Sequence, residues 1–137
     1  MRELEEFLEW SAKVKPEVSQ VSVILSEKLS DEPANLIKDL QEIEAWNARM
    51  GSLLAQADSW LDRYKFLVMP PKGDSKSEAD RKLFTDNEVS PIRLMRDTLE
   101  NICDAIRQRL ILGESILSFH KQQYAERKAP ITLDRVY

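Results

Sequence analysis

The stretch that decides the fold is residues 60–83, "WLDRYKFLVMPPKGDSKSEADRKL", where an aromatic and apolar run stops at two prolines and a glycine. Proline has no backbone N–H to donate and disfavours helical geometry at the preceding residue, so Pro70 and Pro71 end any helix that reaches them. The glycine, serines and charged residues that follow are typical of a turn. We therefore expect the corner of a helical hairpin at residues 70–77.

The apolar residues upstream of this corner repeat every three and four positions, which is the heptad spacing of a packed helix. They are Leu36, Leu40, Ile43, Asn47, Met50, Leu54, Ala57, Leu61, Tyr64 and Val68. Pro33 suits a first helical position, so the pattern predicts a helix over 33–69. Because Trp46 and Trp60, beside this stripe, are apolar as well, we expect the helix to contact two neighbours.

A second long helix is predicted over 91–127, where the apolar residues again follow a helical period. They are Ile92, Met95, Leu99, Ile102, Ile106, Leu110, Gly113, Leu117, His120 and Tyr124. Between the corner and Pro91 the sequence predicts a shorter helix capped by Ser77. This short helix either stands apart or joins the long helix through a kink.

The N-terminal segment keeps one helical phase across Pro16, which indicates either one kinked helix over 2–29 or two abutting helices. Its apolar-phase positions are Leu4, Phe7, Ser11, Val14, Val18, Val21 and Leu25. The predicted fold is therefore all-α, an elongated antiparallel hairpin packed with an N-terminal kinked helix, like a three-helix bundle. We expect one domain over 1–127 and an extended tail over 128–137, because Pro130 ends the preceding helix.

Composition fits a folded, soluble chain of 137 residues, of which 32% are charged and 42% hydrophobic. The single cysteine, Cys103, cannot form an intramolecular disulfide, and the sequence has neither a signal-peptide pattern nor an apolar run long enough for a membrane span. We therefore expect a cytoplasmic protein without membrane contact. The net charge of −4 does not support a nucleic-acid partner.

Catalytic groups are sparse in this sequence. His120 and Cys103, the only histidine and cysteine, lie on one predicted helix about 25 Å apart, too far to form a nucleophile pair. Acidic pairs one turn apart, such as Asp39 with Glu42 and Asp97 with Glu100, resemble the magnesium ligands of all-α nucleotide pyrophosphohydrolases, but most of them lie off the apolar stripes. We expect no enzyme, cofactor or metal site, with that hydrolase as an alternative.

Several residues suggest interactions beyond packing. The wide stripe containing Trp46 and Trp60 offers more apolar surface than three helices readily bury, which favours a homo-oligomer. Asn47 in the heptad either fixes the partner number or lies at the edge of the stripe. Gly51 and Gly113, in helix interiors, predict a close approach of the two long helices. The "FLVM" run at 66–69 is expected to be buried under the N-terminal helix rather than exposed as a docking patch.

The return helix and the tail supply the remaining candidates. Arg93 and Arg96 share a helix face, which predicts either a salt-bridged surface or weak contacts with single-stranded DNA. In the tail, Ile131, Leu133 and Tyr137 follow no helical period, so the segment either packs, frays or docks on a partner as an extended peptide.

Residues 61–73, "LDRYKFLVMPPKG", and residues 77–110, "SEADRKLFTDNEVSPIRLMRDTLENICDAIRQRL", resemble a group of short helical-hairpin proteins of tailed bacteriophages. The resemblance covers roughly residues 55–117. It implies a small non-enzymatic accessory protein in the host-cell cytoplasm, often encoded beside phage recombination or single-strand-binding genes, and it transfers no catalytic residue. We expect an adaptor or inhibitor acting on another protein or a nucleoprotein complex, with an accessory role in phage DNA replication or recombination as an alternative.

Deleting residues 129–137 is expected to leave the helical content and melting temperature nearly unchanged while weakening self-association or partner binding, because the tail is too short to fold alone. Circular dichroism and light scattering on the truncated chain test this. A melting point several degrees lower, with assembly and binding intact, would place the tail in the core instead.

Overall fold

The computed structural model describes residues 2–70 and 77–134, with side chains up to residue 127, and this part of the chain is helical with no strand. The four helices are α1 (Arg2–Ser26), α2 (Pro33–Val68), α3 (Glu78–Glu88) and α4 (Ser90–Asp134). The helices pack against one another as an all-α bundle, which confirms the predicted fold class.

The helix ends follow the signals read in the sequence. Pro33 occupies the start of α2, where its missing N–H costs nothing. At the other end of α2 the Met69 N–H still donates to the Lys65 carbonyl (3.1 Å), and the helix ends at Val68, two residues before Pro70. Ser77 caps α3 by accepting a hydrogen bond from the Asp80 N–H (3.2 Å). Only Val89 separates α3 from α4, so the short helix joins the long one directly.

Prolines inside the outer helices do not break them. Helix α1 is one continuous helix through the exposed Pro16, so the alternative of two abutting helices is wrong, and the helix ends at Ser26 rather than at residue 29. Helix α4 likewise continues through Pro130 to Asp134, so residues 128–134 are helical and not the extended tail that was predicted. A proline removes one backbone hydrogen bond and crowds the preceding turn, but the flanking bonds carry the helix on. Residues 135–137 lie outside the described part.

Helices α2 and α4 form the antiparallel hairpin, and α1 lies against both. Arg96 Nε of α4 lies 3.5 Å from the Asp58 carboxylate of α2. Helix α1 runs antiparallel to α2, since the Trp10 indole N–H donates to the Gln56 side chain (2.8 Å) and Arg49 donates two hydrogen bonds to Glu17. The Arg49 hydrogen bonds lower the pKa of the Glu17 carboxyl. It follows that α1 and α4 run parallel.

One continuous core fills the space between these helices. Its fully buried large side chains are Tyr64, Phe7, Leu36, Met50, Leu53, Ile92, Leu99, Ile106, Val21 and Val89. Most of these positions belong to the apolar stripes read from the sequence, because helical spacing brings them to one face. Val89 adds the α3–α4 joint to the same core.

The two helical glycines do not meet, which corrects the prediction that they mark one close approach. A Cβ on Gly113 would overlap the Leu40 side chain of α2, whereas a Cβ on the exposed Gly51 would meet nothing within 4 Å. Leu40 lies opposite Gly113 and Asp58 lies opposite Arg96, so this register places Gly51 opposite about residues 102–103 and not opposite Gly113. Only Gly113 therefore serves helix packing.

The "FLVM" run is largely exposed, so its predicted burial under the N-terminal helix is wrong. Phe66 is 84% exposed, and Leu67 and Met69 are exposed as well. Helix α1 begins at Arg2 and its Phe7 ring packs against Trp60, so the last turn of α2 extends past the start of α1.

In the described ranges, no helix combines the length and apolarity that a membrane crossing requires.

We expect the two glycines to respond oppositely to alanine. Gly51→Ala gains helix propensity and raises the free energy of unfolding by up to about 1 kcal/mol. Gly113→Ala places a methyl group on Leu40 and lowers the free energy by about 1–3 kcal/mol. Thermal and urea unfolding followed by circular dichroism measure both changes. Adding Leu40→Ala to Gly113→Ala should cost less than the two single changes together, and an equal gain from both glycine variants would contradict this packing.

Candidate functional site

An apolar groove runs between the parallel helices α1 and α4. It has a volume of about 400 Å³. Its lining residues are Phe7, Leu8, Ser11, Lys15, Val18 and Ser19 from α1 and Pro91, Leu94, Met95 and Thr98 from α4. The groove extends about 18 Å along α1 at the helical rise, which is more than three turns.

Small residues on α1 keep this groove open. Ser11 is buried and Ser19 lines the groove eight residues further, at positions where a larger apolar residue would fill the space between the helices. Leu8 and Lys15 stand on the same helix face, since they lie seven residues apart. The α1–α4 contact therefore leaves a channel with an apolar floor formed by Phe7 and Met95.

The rim of the groove carries apolar side chains that the fold does not bury. Leu94 is 70% exposed and Leu8 is 51% exposed, on opposite walls. Lys15 is the one charged residue among the lining side chains. Such a site can bind the apolar face of another helix through van der Waals contact and desolvation. The single charge of Lys15 can orient the bound helix.

Helix α4 carries further apolar side chains away from the groove. The exposed ones are Ile111, Leu112, Phe119 and Tyr124. Leu40 of α2 lies against Gly113, and α2 begins only seven residues earlier at Pro33, so the C-terminal turns of α4 run past the start of α2. The Phe119 ring lies 6.3 Å from the His120 ring. Only the turns of α4 after about residue 120 therefore project beyond α2.

The tryptophans predicted as interaction residues pack on the core. Trp60 makes an edge contact with Phe7 at 6.1 Å between ring centroids, and the Arg63 guanidinium lies 4.8 Å from the centre of its ring. Trp46 is half-buried against the same core. Asn47 is half-buried beside the fully buried Met50, so it lies at the edge of the apolar stripe within the single chain.

The two predicted arginines are engaged in ion pairs. Arg93 reaches Asp86 of α3 at 3.3 Å. Arg96 contacts Glu100 at 2.7 Å and also Asp58 across the hairpin. The structure therefore supports a salt-bridged surface on this face of α4. Carboxylates already pair with the two guanidinium groups that would have to bind a phosphate. Ile131 and Leu133 fall within α4 but their side chains lie outside the described part, as does Tyr137 entirely.

The acidic pairs considered for catalysis lie beside arginines: Asp97 and Glu100 both contact Arg96, and Asp39 and Glu42 line a pocket with Arg109. Burial raises the pKa of the Cys103 thiol, which keeps it protonated and weakly nucleophilic. Glu42, Asp97 and Glu100 are exposed, off the core-facing stripes as predicted, and Asp39 accepts a hydrogen bond from the Ser30 N–H (3.2 Å). Among the side chains that the structure describes, no three histidine, cysteine or acidic residues come together as a metal site would require.

A small polar pocket at the other end of the bundle was not predicted. Glu27, Asp39 and Glu42 line it together with Arg109, whose buried Nε has no hydrogen-bond partner among the described residues. Its volume of about 50 Å³ suits one or two water molecules that bridge these groups. We interpret the pocket as a hydrated polar junction between α1, α2 and α4.

Sequence reasoning also missed the groove. Leu8 and Leu94 fall outside the core-facing phase, and isolated exposed leucines are ordinary in folded proteins. The one available signal was a run of uncharged residues on the outer side of α4, at Leu94, Thr98, Asn101 and Ala105. This run can be recognised as the border of a groove only from the position of α1 beside it.

No protein-family model matches this chain, and no match was found among curated proteins or solved structures. The resemblance to accessory proteins of tailed bacteriophages therefore stays a prediction.

We expect neighbouring residues of the groove to differ sharply in their contribution to folding. Leu94→Ala should change the free energy of unfolding by less than about 0.5 kcal/mol, because its side chain is already in water. Met95→Ala, one residue further and buried, should cost about 2–5 kcal/mol. Urea unfolding measures both. A comparable loss from Leu94→Ala would make that side chain part of the core and remove it from the candidate site.

Proposed function

We propose that this chain is a non-enzymatic helical protein-interaction module that self-associates and acts as a phage-type adaptor or inhibitor on another protein or on a nucleoprotein complex. Its docking surface is the groove between α1 and α4. The observation that carries the proposal is Leu94, a large apolar side chain at 70% exposure on the rim of an apolar channel. Together with Leu8 on the opposite wall, Leu94 leaves apolar surface in water beside an apolar channel, which is the surface pattern of a docking site.

The dimensions of the groove favour a helix as its ligand. A helix bound in a groove presents anchors at positions i, i+3 or i+4, and i+7, which span about 10 Å. The channel is longer than that, and Ser11, Ser19 and Thr98 allow close approach of a partner backbone. Apolar contact with Phe7 and Met95 would supply affinity, while Lys15 would select partners with an acidic residue beside the apolar face.

Affinity capture with three forms of the chain tests this proposal. Wild-type protein, Leu94→Glu and the control Leu83→Glu are immobilised and exposed to the same host extract, and bound proteins are quantified by mass spectrometry. Leu83 is a fair control because it is also exposed and apolar but lies on α3, outside the groove. We expect the wild type and the Leu83→Glu control to capture the same partners. The amount of each partner captured should fall at least tenfold with Leu94→Glu, which corresponds to about 1.4 kcal/mol of binding free energy.

The proposal fails if Leu94→Glu retains the same partners at the same level as the control. Circular dichroism on all three forms establishes that each is folded. Assaying the purified chain for magnesium-dependent turnover of nucleoside triphosphates separates the interaction module from the hydrolase alternative.

A further inference from the structure

We propose that the helix that fills the α1/α4 groove is α4 of a second copy of this chain, docked antiparallel so that the two copies form a two-fold dimer. The C-terminal half of each α4 would cover the groove of the other copy. This inference rests on the proposed use of the groove as a helix-docking site and adds the identity of the occupant.

The groove and a set of exposed anchors lie on the same side of α4. Leu112 and Phe119 follow Leu94 by 18 and 25 residues, which is five turns and close to seven turns of an α-helix. The three side chains therefore share one stripe, and all three are more than half exposed. A helix that carries both a groove wall and matching anchors on one face can pair with itself.

The anchors have the spacing that a helix needs in a groove. Leu112, Ile116 and Phe119 stand at positions i, i+4 and i+7, so they project from one face over two turns. Phe119 and Leu112 are exposed, and Ile116 is half-buried at the edge of the core.

The stripe between groove and anchors is free of charge. Its members are Leu94, Thr98, Asn101, Ala105, Gln108, Leu112, Ile116 and Phe119. In a chain with 32% charged residues, this stripe is uncharged over seven turns. When the stripes of two copies face each other, they therefore meet without like-charge repulsion.

Only an antiparallel pair places the anchors of each copy in the groove of the other. It sets Leu94 of one copy against Phe119 of the other at each end of a contact about 37 Å long. Ala105 lies near the two-fold axis, where its small side chain lets the helices approach. A parallel pair would place groove beside groove and anchors beside anchors, which leaves both grooves empty. The antiparallel interface is isologous and closes on itself, so it yields dimers and not filaments.

Cysteine cross-linking of the purified chain tests the arrangement. We would compare Leu94→Cys, Phe119→Cys and the double variant after treatment with a short bifunctional maleimide, on a denaturing gel. Both positions are exposed, so the substitutions spare the core. Within one chain the two positions lie about 37 Å apart, beyond the reach of the reagent. The buried Cys103 is present in every form and is the source of any background cross-linking. The wild type, in which Cys103 is the only cysteine, measures that background.

We expect the double variant to appear at twice the chain mass in several-fold higher yield than either single variant, because only it places a thiol on both sides of each contact. An equimolar mixture of the two single variants should also cross-link, in the heterodimers. Full maleimide labelling of the double variant without a product at twice the chain mass overturns the dimer. Efficient cross-linking of the single variants would show a parallel pair and would overturn it too.

The result also separates the two proposals. If the double variant does not cross-link while Leu94→Glu still loses captured partners, the groove binds a helix from another protein. If cross-linking succeeds and Leu94→Glu retains every captured partner, the groove serves self-association alone and the adaptor surface lies elsewhere.

Discussion

The packing of Leu40 against Gly113 is the contact on which the arrangement of this bundle depends. A side chain at position 113 would overlap Leu40, so the absence of one lets α2 and α4 approach closely there. That approach fixes the register of the antiparallel hairpin and brings Asp58 beside Arg96 toward the other end. Helix α1 then lies along the hairpin, held to α2 by Trp10 and Gln56 and by a surface ion pair.

The same register produces the candidate site. Ser11 and Ser19 line the α1 side of the groove, and between these small side chains and α4 the two parallel helices leave a channel. Filling it with larger residues would stabilise the monomer by roughly 1 kcal/mol for each buried methylene. Instead Leu8 and Leu94 remain at the rim in water. Residues that contribute little to folding but form a shaped apolar surface are typical of an interface.

Several arginines form ion pairs within the chain. Arg49, Arg93, Arg96 and Arg107 each lie beside a carboxylate of the same chain. These pairs are partly exposed, so each contributes at most about 1 kcal/mol. They include Arg93 and Arg96, the two arginines that the sequence offered for contacts with DNA. For this reason the partner proposed for the groove is a protein helix and not a nucleic acid.

The sequence by itself determined most of the helices, since heptad spacing predicted α2 and α4, Pro33 and Pro70 bound α2, and Ser77 caps α3. The end of α4 was not determined in this way, because the helix continues through Pro130. Nor did the sequence determine which faces meet. A wide apolar stripe can contact two neighbours at several registers with similar burial, so Gly51 and Gly113 looked equivalent, and only tertiary packing distinguished them. The groove was likewise decided by tertiary packing and not by the sequence alone. Its walls come from α1 and α4, far apart in the chain, and their shape exists only once the hairpin register is fixed.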